Sequence, residues 1–494
     1  MTLDQKLRLL KRQSRQEGTR DRDRELARTL EYLRRLTVPP TPRKLPAQRA
    51  PKGIEEYVDG EIRENAFGPF FLASQAFPFG RPYGNLRLGD VATADLSPLN
   101  VFLTAEDRYR IEESRRQETE VRSQNGFSER SGAPDGLAQS KIQNLKSKIS
   151  EDHPQSKIEV GLLDPSQLVF LDTETTGLAG GTGTCAFLIG IGTVEGLRFV
   201  VRQFFLRDYP EEKAQLQALS DALAPHQGLI TFNGKTFDVP LLETRYALAR
   251  MKSPFGRLLH LDALHPARRL WKLRLESCKL TDLESALLGI HRDGDVPGSE
   301  IPGIYFDYLR TGDAQGLQSV FHHNALDIIT LAALTVQLAR ALADATTLES
   351  PLDLFSLSRI LGATGSGEQS ISICRQALAT GLPQPVESQA LRHLAFQLKR
   401  QRRHELAAEA WLELTRREAP LAIEACEELA IYYEHRRRDS RTAREFVAAA
   451  LERLREQSPS HPQVPRFTHR LARLEKKLSR VGSAAPLPLA PSPP

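Results

Sequence analysis

Leu168-Val-Phe-Leu-Asp172-Thr-Glu174-Thr-Thr-Gly177 is an apolar run of strand length that ends in two carboxylates one residue apart. Side chains alternate across a strand, so Asp172 and Glu174 share a face and can share a cation. Taken alone, a strand followed by D-x-E is more often a solvated strand end. Its weight comes from two later segments that supply further carboxylates.

The first of these is Gly228-Leu-Ile-Thr-Phe-Asn233-Gly-Lys-Thr-Phe237-Asp238-Val-Pro-Leu-Leu-Glu-Thr-Arg245. Leu229 to Phe232 reads as a buried strand that Asn233-Gly234 breaks. Asp238 then stands where a helix begins, with Leu241, Leu242 and Tyr246 as the apolar stripe. By itself Asp238 reads most simply as a helix cap. The second segment is His322-His323-Asn-Ala-Leu-Asp327-Ile-Ile-Thr. Leu326, Ile329, Ala333 and Leu334 have the spacing of a helix packed on a core, which leaves His323 and Asp327 together on another face. Such a pair is usually a surface hydrogen bond. In the company of three more carboxylates, Asp327 becomes a candidate ligand.

Asp172, Glu174, Asp238 and Asp327 follow the order and context of the four acidic residues of the DEDD (DnaQ-like) 3′→5′ exonuclease superfamily, which has the ribonuclease H-like fold. The wording F-N-G-K-T-F-D-V-P-L-L-E-T-R resembles the second motif of its tyrosine-type branch, including proofreading domains of family B polymerases. There an Asn precedes the Asp by five positions, as Asn233 precedes Asp238. The block also resembles the YprB-like proteins, bacterial RNase H-like nucleases joined to helical repeats. The tyrosine-type branch has Tyr four residues before its last Asp, where this chain has His323. The histidine-type branch has His five residues before, where this chain has His322. The Asn233 to Asp238 spacing favours the first register, so His323 is assigned to the site and His322 is the alternative.

The resemblance implies an α/β, ribonuclease H-like fold, a mixed central sheet flanked by helices, followed by an all-α helical-repeat region. It implies a metal-dependent nuclease, a 3′→5′ exonuclease, using two Mg²⁺ or Mn²⁺ ions. These cations prefer oxygen ligands and keep several waters, so a few Asp and Glu suffice. By the same resemblance Asp172 bridges both ions, Glu174 and Asp327 complete the nucleophile-side ion, and Asp238 holds the second. His323 would orient or deprotonate the attacking water. The expected partner is nucleic acid, DNA or RNA, entered at a single-stranded end. The alternatives are a nucleic-acid-binding RNase H-like module or a repeat-based adaptor with little catalysis. Gly177 to Thr184 is Gly-rich but has no P-loop Lys-Ser/Thr ending, and reads as a close-approach hairpin beside the site.

Texture divides the 494 residues. Residues 1–50 form a basic helical and linker segment, with Leu26, Leu30 and Leu33 at helical spacing among arginines and a Pro-rich end. Residues 51–109, with the aromatic runs Phe67-Gly-Pro-Phe-Phe-Leu72 and Phe77-Pro-Phe-Gly, are expected to form a small β-rich element. Residues 110–162 are polar, with Ser-Lys-Ile near-repeats, and read as a disordered linker. Residues 163–345 are the RNase H-like domain. Residues 350–480 carry a repeat: Leu357, Leu361, Cys374 and Ala377 recur 37 residues on as Leu394, Leu398, Trp411 and Leu414. This resembles tetratricopeptide repeats, which bind protein partners on a concave face; an ordinary helical bundle is the alternative. Residues 481–494 are a Pro-rich tail.

Charge is uneven. Residues 1–50 hold 14 Lys/Arg against 6 Asp/Glu, whereas residues 151–340 hold 18 against 23. An acidic catalytic block must draw its grip on a polyanion from local basic clusters or flanking segments. Lys235, Arg245, Arg268 and Arg269 are the nearest cations in sequence, and Lys399–Arg403 and Arg436–Arg438 fall at repeat turns. The four cysteines are widely spaced and form no C-x-x-C pair, which points to buried thiols in a reducing, cytoplasmic setting. No stretch is expected to reach the apolar length of a membrane helix.

Overall fold

The computed structural model describes residues 53–103, 164–177, 183–417 and 421–482, all within one compact unit. The expectations for the basic segment 1–50, the linker 110–162 and the tail 481–494 therefore fall outside the described residues or at their very edge. So does most of the Gly-rich turn, over 178–182.

A seven-stranded mixed sheet organises the N-terminal two-thirds. Its strands are β1 (Gly60–Asn65), β2 (Gly68–Pro78), β5 (Leu168–Thr175), β6 (Ala186–Glu195), β7 (Arg198–Phe205), β8 (Gly228–Thr231) and β9 (Leu259–Asp262). The spatial order is β1-β2-β7-β6-β5-β8-β9. β5, β6 and β7 form an antiparallel meander, and β8 and β9 add in parallel beside β5. A separate small hairpin pairs β3 (Pro82–Tyr83) with β4 (Leu86–Arg87). The expected mixed sheet flanked by helices, with an all-α C-terminal region, is what the chain adopts.

The expected β-rich element over 51–109 does form strands in its described part, 53–103, but does not stand apart on its own. β2 pairs antiparallel with β7 from Phe71↔Phe205 to Pro78↔Arg198, so this segment extends the main sheet. The physical reason lies in the aromatic run. Phe71 is fully buried against Phe205 and Phe321, while Phe70 and Leu72 enter the core on the opposite face.

Helices cover both faces. Val169 and Leu171 of β5 pack with α2 (Glu212–Leu223) and α3 (Asp238–Leu248), and Leu168 and Phe170 pack with α4 (Leu264–Trp271) and α7 (Leu317–Ala343). Three further helices are α1 (Gly89–Thr93), α5 (Leu280–Leu283) and α6 (Ile301–Thr311). At 27 residues α7 is long and apolar enough to cross a membrane, which corrects the expectation that no stretch reaches that length. Most of it is buried in the core, because α7 packs on the central sheet strands β5, β6 and β7 and is itself covered by neighbouring helices. Close approach needs small residues beneath it: a Cβ at Gly190 or Gly192 of β6 would collide with Asn324 or Ile328.

The C-terminal region is a run of antiparallel helices: α8 (Pro351–Ala363), α9 (Gly367–Thr380), α10 (Gln384–Arg400), α11 (His404–Leu414), α12 (Leu421–Tyr432), α13 (Ser440–Gln457) and α14 (Val464–Gly482). Each packs chiefly on its neighbours in sequence. Leu357, Ile360 and Leu361 of α8 join the hydrophobic core of the sheet domain, and Arg274 reaches Asp353 across the seam at 2.7 Å. All four cysteines are buried free thiols.

Candidate active site

Strand periodicity carries the apolar alternation of β5 directly into the site. Asp172 and Glu174 continue the face of Leu168 and Phe170, the face covered by α7; Thr173 continues the opposite face, toward α3. β8 pairs only with Leu168–Phe170, so both carboxylates project beyond its end.

Asp238 reaches the site by a tight turn. Asn233 adopts a left-handed conformation (φ 67°), which ends β8 and brings the chain round to α3. Asp262, at the end of β9 and 3% exposed, ties the turn down by accepting from the N–H groups of Asn233 (2.8 Å) and Lys235 (3.1 Å). The helix cap position is Phe237, and Asp238 is the first helical residue. Its carboxylate accepts from Thr173 Oγ1 instead of capping the helix.

On α7, His323, Asn324 and Asp327 face the β5 carboxylates, while His322 points to solvent. Asn324 is fully buried and donates to Asp172 Oδ2 at 2.8 Å; its own Oδ1 accepts from Gln203 of β7 at 2.9 Å. The His323 Nε2 atom lies 3.5 Å from Asp327 Oδ2 and 4.0 Å from Glu174 Oε1. Its Nδ1 is 2.8 Å from Asp295 Oδ2. Arg292 Nη1 donates to Asp327 Oδ1 at 2.5 Å, and Arg292 Nε donates to Glu284 Oε2 at 2.5 Å. Glu284, 1% exposed, is held in turn by the hydroxyls of Tyr83 and Thr330.

The electrostatics follow from this crowding. Burial, then repulsion from Asp327, Glu174 and Asp238, holds the Asp172 carboxyl well above the usual carboxylate range. Glu174 is held well above it by burial and by Asp327, Asp238 and Asp295. Burial pushes Asp238 up to about 6, against the hydrogen bond from Thr173. Burial also raises Asp327, with Arg292 and His323 opposing the shift. The Glu174 and Asp327 side chains nevertheless keep 13% and 16% of their exposure, so the cluster is recessed but reachable.

Four oxygen-donor side chains that repel one another inside a recess suit a hard divalent cation, whose charge would offset that repulsion. Among the described residues, no three His, Cys, Asp or Glu side chains stand closed at ligating geometry. Their oxygens are turned onto protein donors instead: Asp172 onto Asn324, Asp238 onto Thr173, Asp327 onto Arg292.

All five assigned side chains thus converge from β5, α3 and α7. Sequence reading missed Arg292, Asp295, Glu284, Asn324 and Asp262. Asn324 had a weak signal as the neighbour of His323. Arg292 and Asp295 lie in the loop between Gly289 and α6, where no periodicity points anywhere. Of the cations proposed to line the groove, Arg245 is committed to Glu212 at 2.5 Å.

A family profile described as RNase_H superfamily matches residues 169–339, which span all of these acidic positions. The chain is 31% identical over 320 residues to "Uncharacterized protein YprB" of Bacillus subtilis (strain 168), an alignment covering 64% of this chain and 76% of that protein.

Proposed function

This chain belongs to the RNase H-like protein family that includes YprB, and from that membership we propose a divalent-metal-dependent nuclease that hydrolyses phosphodiester bonds, acting as a 3′→5′ exonuclease of the DEDD type. The RNase H superfamily domain itself points to nuclease chemistry and nucleic-acid binding. The polarity comes with the resemblance of the four-carboxylate motifs. The observation that carries the reading is the convergence of Asp172, Glu174, Asp238 and Asp327 in one recess, with His323 Nε2 directed at two of them.

Two Mg²⁺ or Mn²⁺ ions, when bound, would activate water and neutralise charge on the phosphate. The chain's own residues do the rest. By the resemblance, Asp172, on the strand face shared with Glu174, would contribute to holding both ions. Glu174 and Asp327, near the histidine, would hold the ion on the nucleophile side, and Asp238 would help to hold the other. His323 accepts the water proton at Nε2 as the oxygen attacks phosphorus, and the departing 3′ oxygen takes a proton from solvent. Asp295, on Nδ1, fixes the ring so that Nε2 is the nitrogen presented.

The RNase H-like domain over residues 163–345, its sheet extended by β1 and β2, is the catalytic unit in this reading. Residues 350–480 are read as tetratricopeptide-like repeats, supported by the stacked helix pairs. A time course with end-labelled single- and double-stranded DNA and RNA, with and without Mn²⁺, tests the reading. Stepwise loss of 3′ nucleotides only with metal supports it. Metal-independent cleavage, or none on any substrate by folded protein, refutes it.

A further inference from the structure

Arg292 follows a one-turn π-helix over Glu284–Leu288 and a left-handed Gly289 (φ 69°) that turns the chain back toward α7. Its side chain is 6% exposed. It is bound on every side: Nε to Glu284 Oε2, Nη1 to Asp327 Oδ1 and, at 3.3 Å, to Asp295 Oδ2, and Nη2 to Thr330 Oγ1 at 3.1 Å. Glu284 anchors it from behind. It has no place in the reaction described above.

A guanidinium keeps its charge at any working pH. Arg292 therefore places a fixed positive charge on an oxygen of Asp327, a carboxylate that the nuclease reading assigns to a metal ion. A buried set of carboxylates without a cation is strongly unfavourable, and a guanidinium among them relieves part of that repulsion. The same charge repels a divalent ion arriving at Asp327. Only one oxygen of Asp327 is taken, since Oδ2 faces His323.

We propose that Arg292 is the resident counter-cation of the carboxylate cluster: it holds the cluster together in the ion-free protein and, by competing at Asp327, sets how tightly a divalent ion binds. This rests on the metal-dependent reading of the site, and deepens it by naming the residue that sets the affinity.

The test is calorimetric titration of the full chain with Mn²⁺ alone, without nucleic acid, paired with thermal melts. Arg292→Gln removes the charge. It is expected to tighten Mn²⁺ by about tenfold, the scale of a unit charge acting on a divalent ion across about 5 Å of water-like medium. It should also lower the melting temperature of the ion-free protein and enlarge the rise on adding Mn²⁺. Arg292→Lys keeps the charge and should bind Mn²⁺ close to wild type. Because Glu284 would be left buried and unpaired, Arg292→Gln with Glu284→Gln is the second variant; it should regain only the stability lost through Glu284, stay below wild type without ions because the cluster has lost its counter-cation, and retain the tighter binding. Unchanged or weaker Mn²⁺ affinity in both Gln variants overturns the proposal, showing that Arg292 is a holder of geometry and not a competitor. A folded wild type that binds no Mn²⁺ instead overturns the metal reading beneath it.

Discussion

Asp295 Oδ2 lies 2.8 Å from His323 Nδ1, joining a loop of no evident pattern to the histidine that faces the carboxylate cluster. The contact separates the two histidines of the His322-His323 pair. His323 is oriented by a carboxylate on one nitrogen and faces Glu174 and Asp327 with the other, whereas His322 is exposed. Loss of a general base typically lowers rate by about 10²–10⁴-fold. His323→Ala is expected in that range, with His322→Ala near wild type. Asp295→Asn should lower kcat by about 10–100-fold, with KM for nucleic acid little changed. The reverse ranking of the histidines in steady-state assays would give the role to His322.

The carboxylates carry a paired prediction. Asp172→Asn or Asp327→Asn should abolish cleavage and weaken Mn²⁺ binding, because each removes a ligand charge and little volume. Asp172→Asn should also raise the melting temperature of the ion-free protein, since burial and three like charges oppose the ionised form of Asp172 and hold its carboxyl well above the usual range. Calorimetry in chelator reads the second effect without any substrate. A lower melting temperature for Asp172→Asn would contradict the electrostatic account.

Much of the site was legible because each carboxylate falls where the pattern changes: Asp172 and Glu174 at a strand end, Asp238 at a helix start, Asp327 off the apolar stripe of α7. What was not legible depends on contacts between distant residues. The register Phe71↔Phe205 decides that 60–78 belong to the main sheet, and no local periodicity encodes a pairing across that separation. Arg292 and Asp295 likewise acquire meaning only when their loop folds back on α7. The cap reading of Asp238 failed for a local reason: Thr173, on the α3-facing side of β5, offers its carboxylate a donor, and Phe237 takes the cap position.

Gly190 sits opposite Asp172 in the β5–β6 register, directly beneath Asn324 and Ile328. Gly190→Ala should push α7 away from the sheet, destabilising the protein by about 1–3 kcal/mol as overpacked cores do. Because α7 carries His323 and Asp327, activity should fall further than stability alone explains. Denaturant unfolding and cleavage rates, measured below the melting transition, separate the two effects. Full activity in a folded Gly190→Ala variant would show that α7 has room to spare.

The seam between the sheet domain and the helical region rests partly on Arg274 and Asp353. Asp353 has one oxygen on Arg274 and the other buried without a partner. Burial pushes its carboxyl up to about 6, against the pull of Arg274. That lies above the unfolded value of about 3.9, so between the two the folded state binds the extra proton and this residue's contribution falls as pH rises. Asp353→Asn should therefore gain stability relative to wild type as pH climbs from about 4 to about 6. Arg274→Ala should lose stability, by about 3 kcal/mol, the low end for a broken buried pair because Arg274 is 30% exposed. Melting temperatures across that pH window check both signs.

The last prediction concerns how an acidic domain grips a polyanion. Residues 151–340 carry 18 Lys/Arg against 23 Asp/Glu, and residues 1–50 carry 14 against 6. Several cations at the repeat turns are already engaged: Lys399 with Glu428, Arg403 with Glu368 and Arg437 with Glu405. Arg245 is engaged with Glu212. The N-terminal segment is then the largest reserve of positive charge for phosphate contact. Each contact contributes about 0.7 to the magnitude of the salt slope for a single strand. Deleting residues 1–50 should raise the Kd for single-stranded nucleic acid and flatten its dependence on salt, while cleavage at saturating substrate stays nearly unchanged. Titrations at several salt concentrations measure both quantities at once. An unaltered slope would assign the segment to a partner protein or to the fold, and the grip to exposed cations of the sheet domain such as Arg268 and Arg269 of α4.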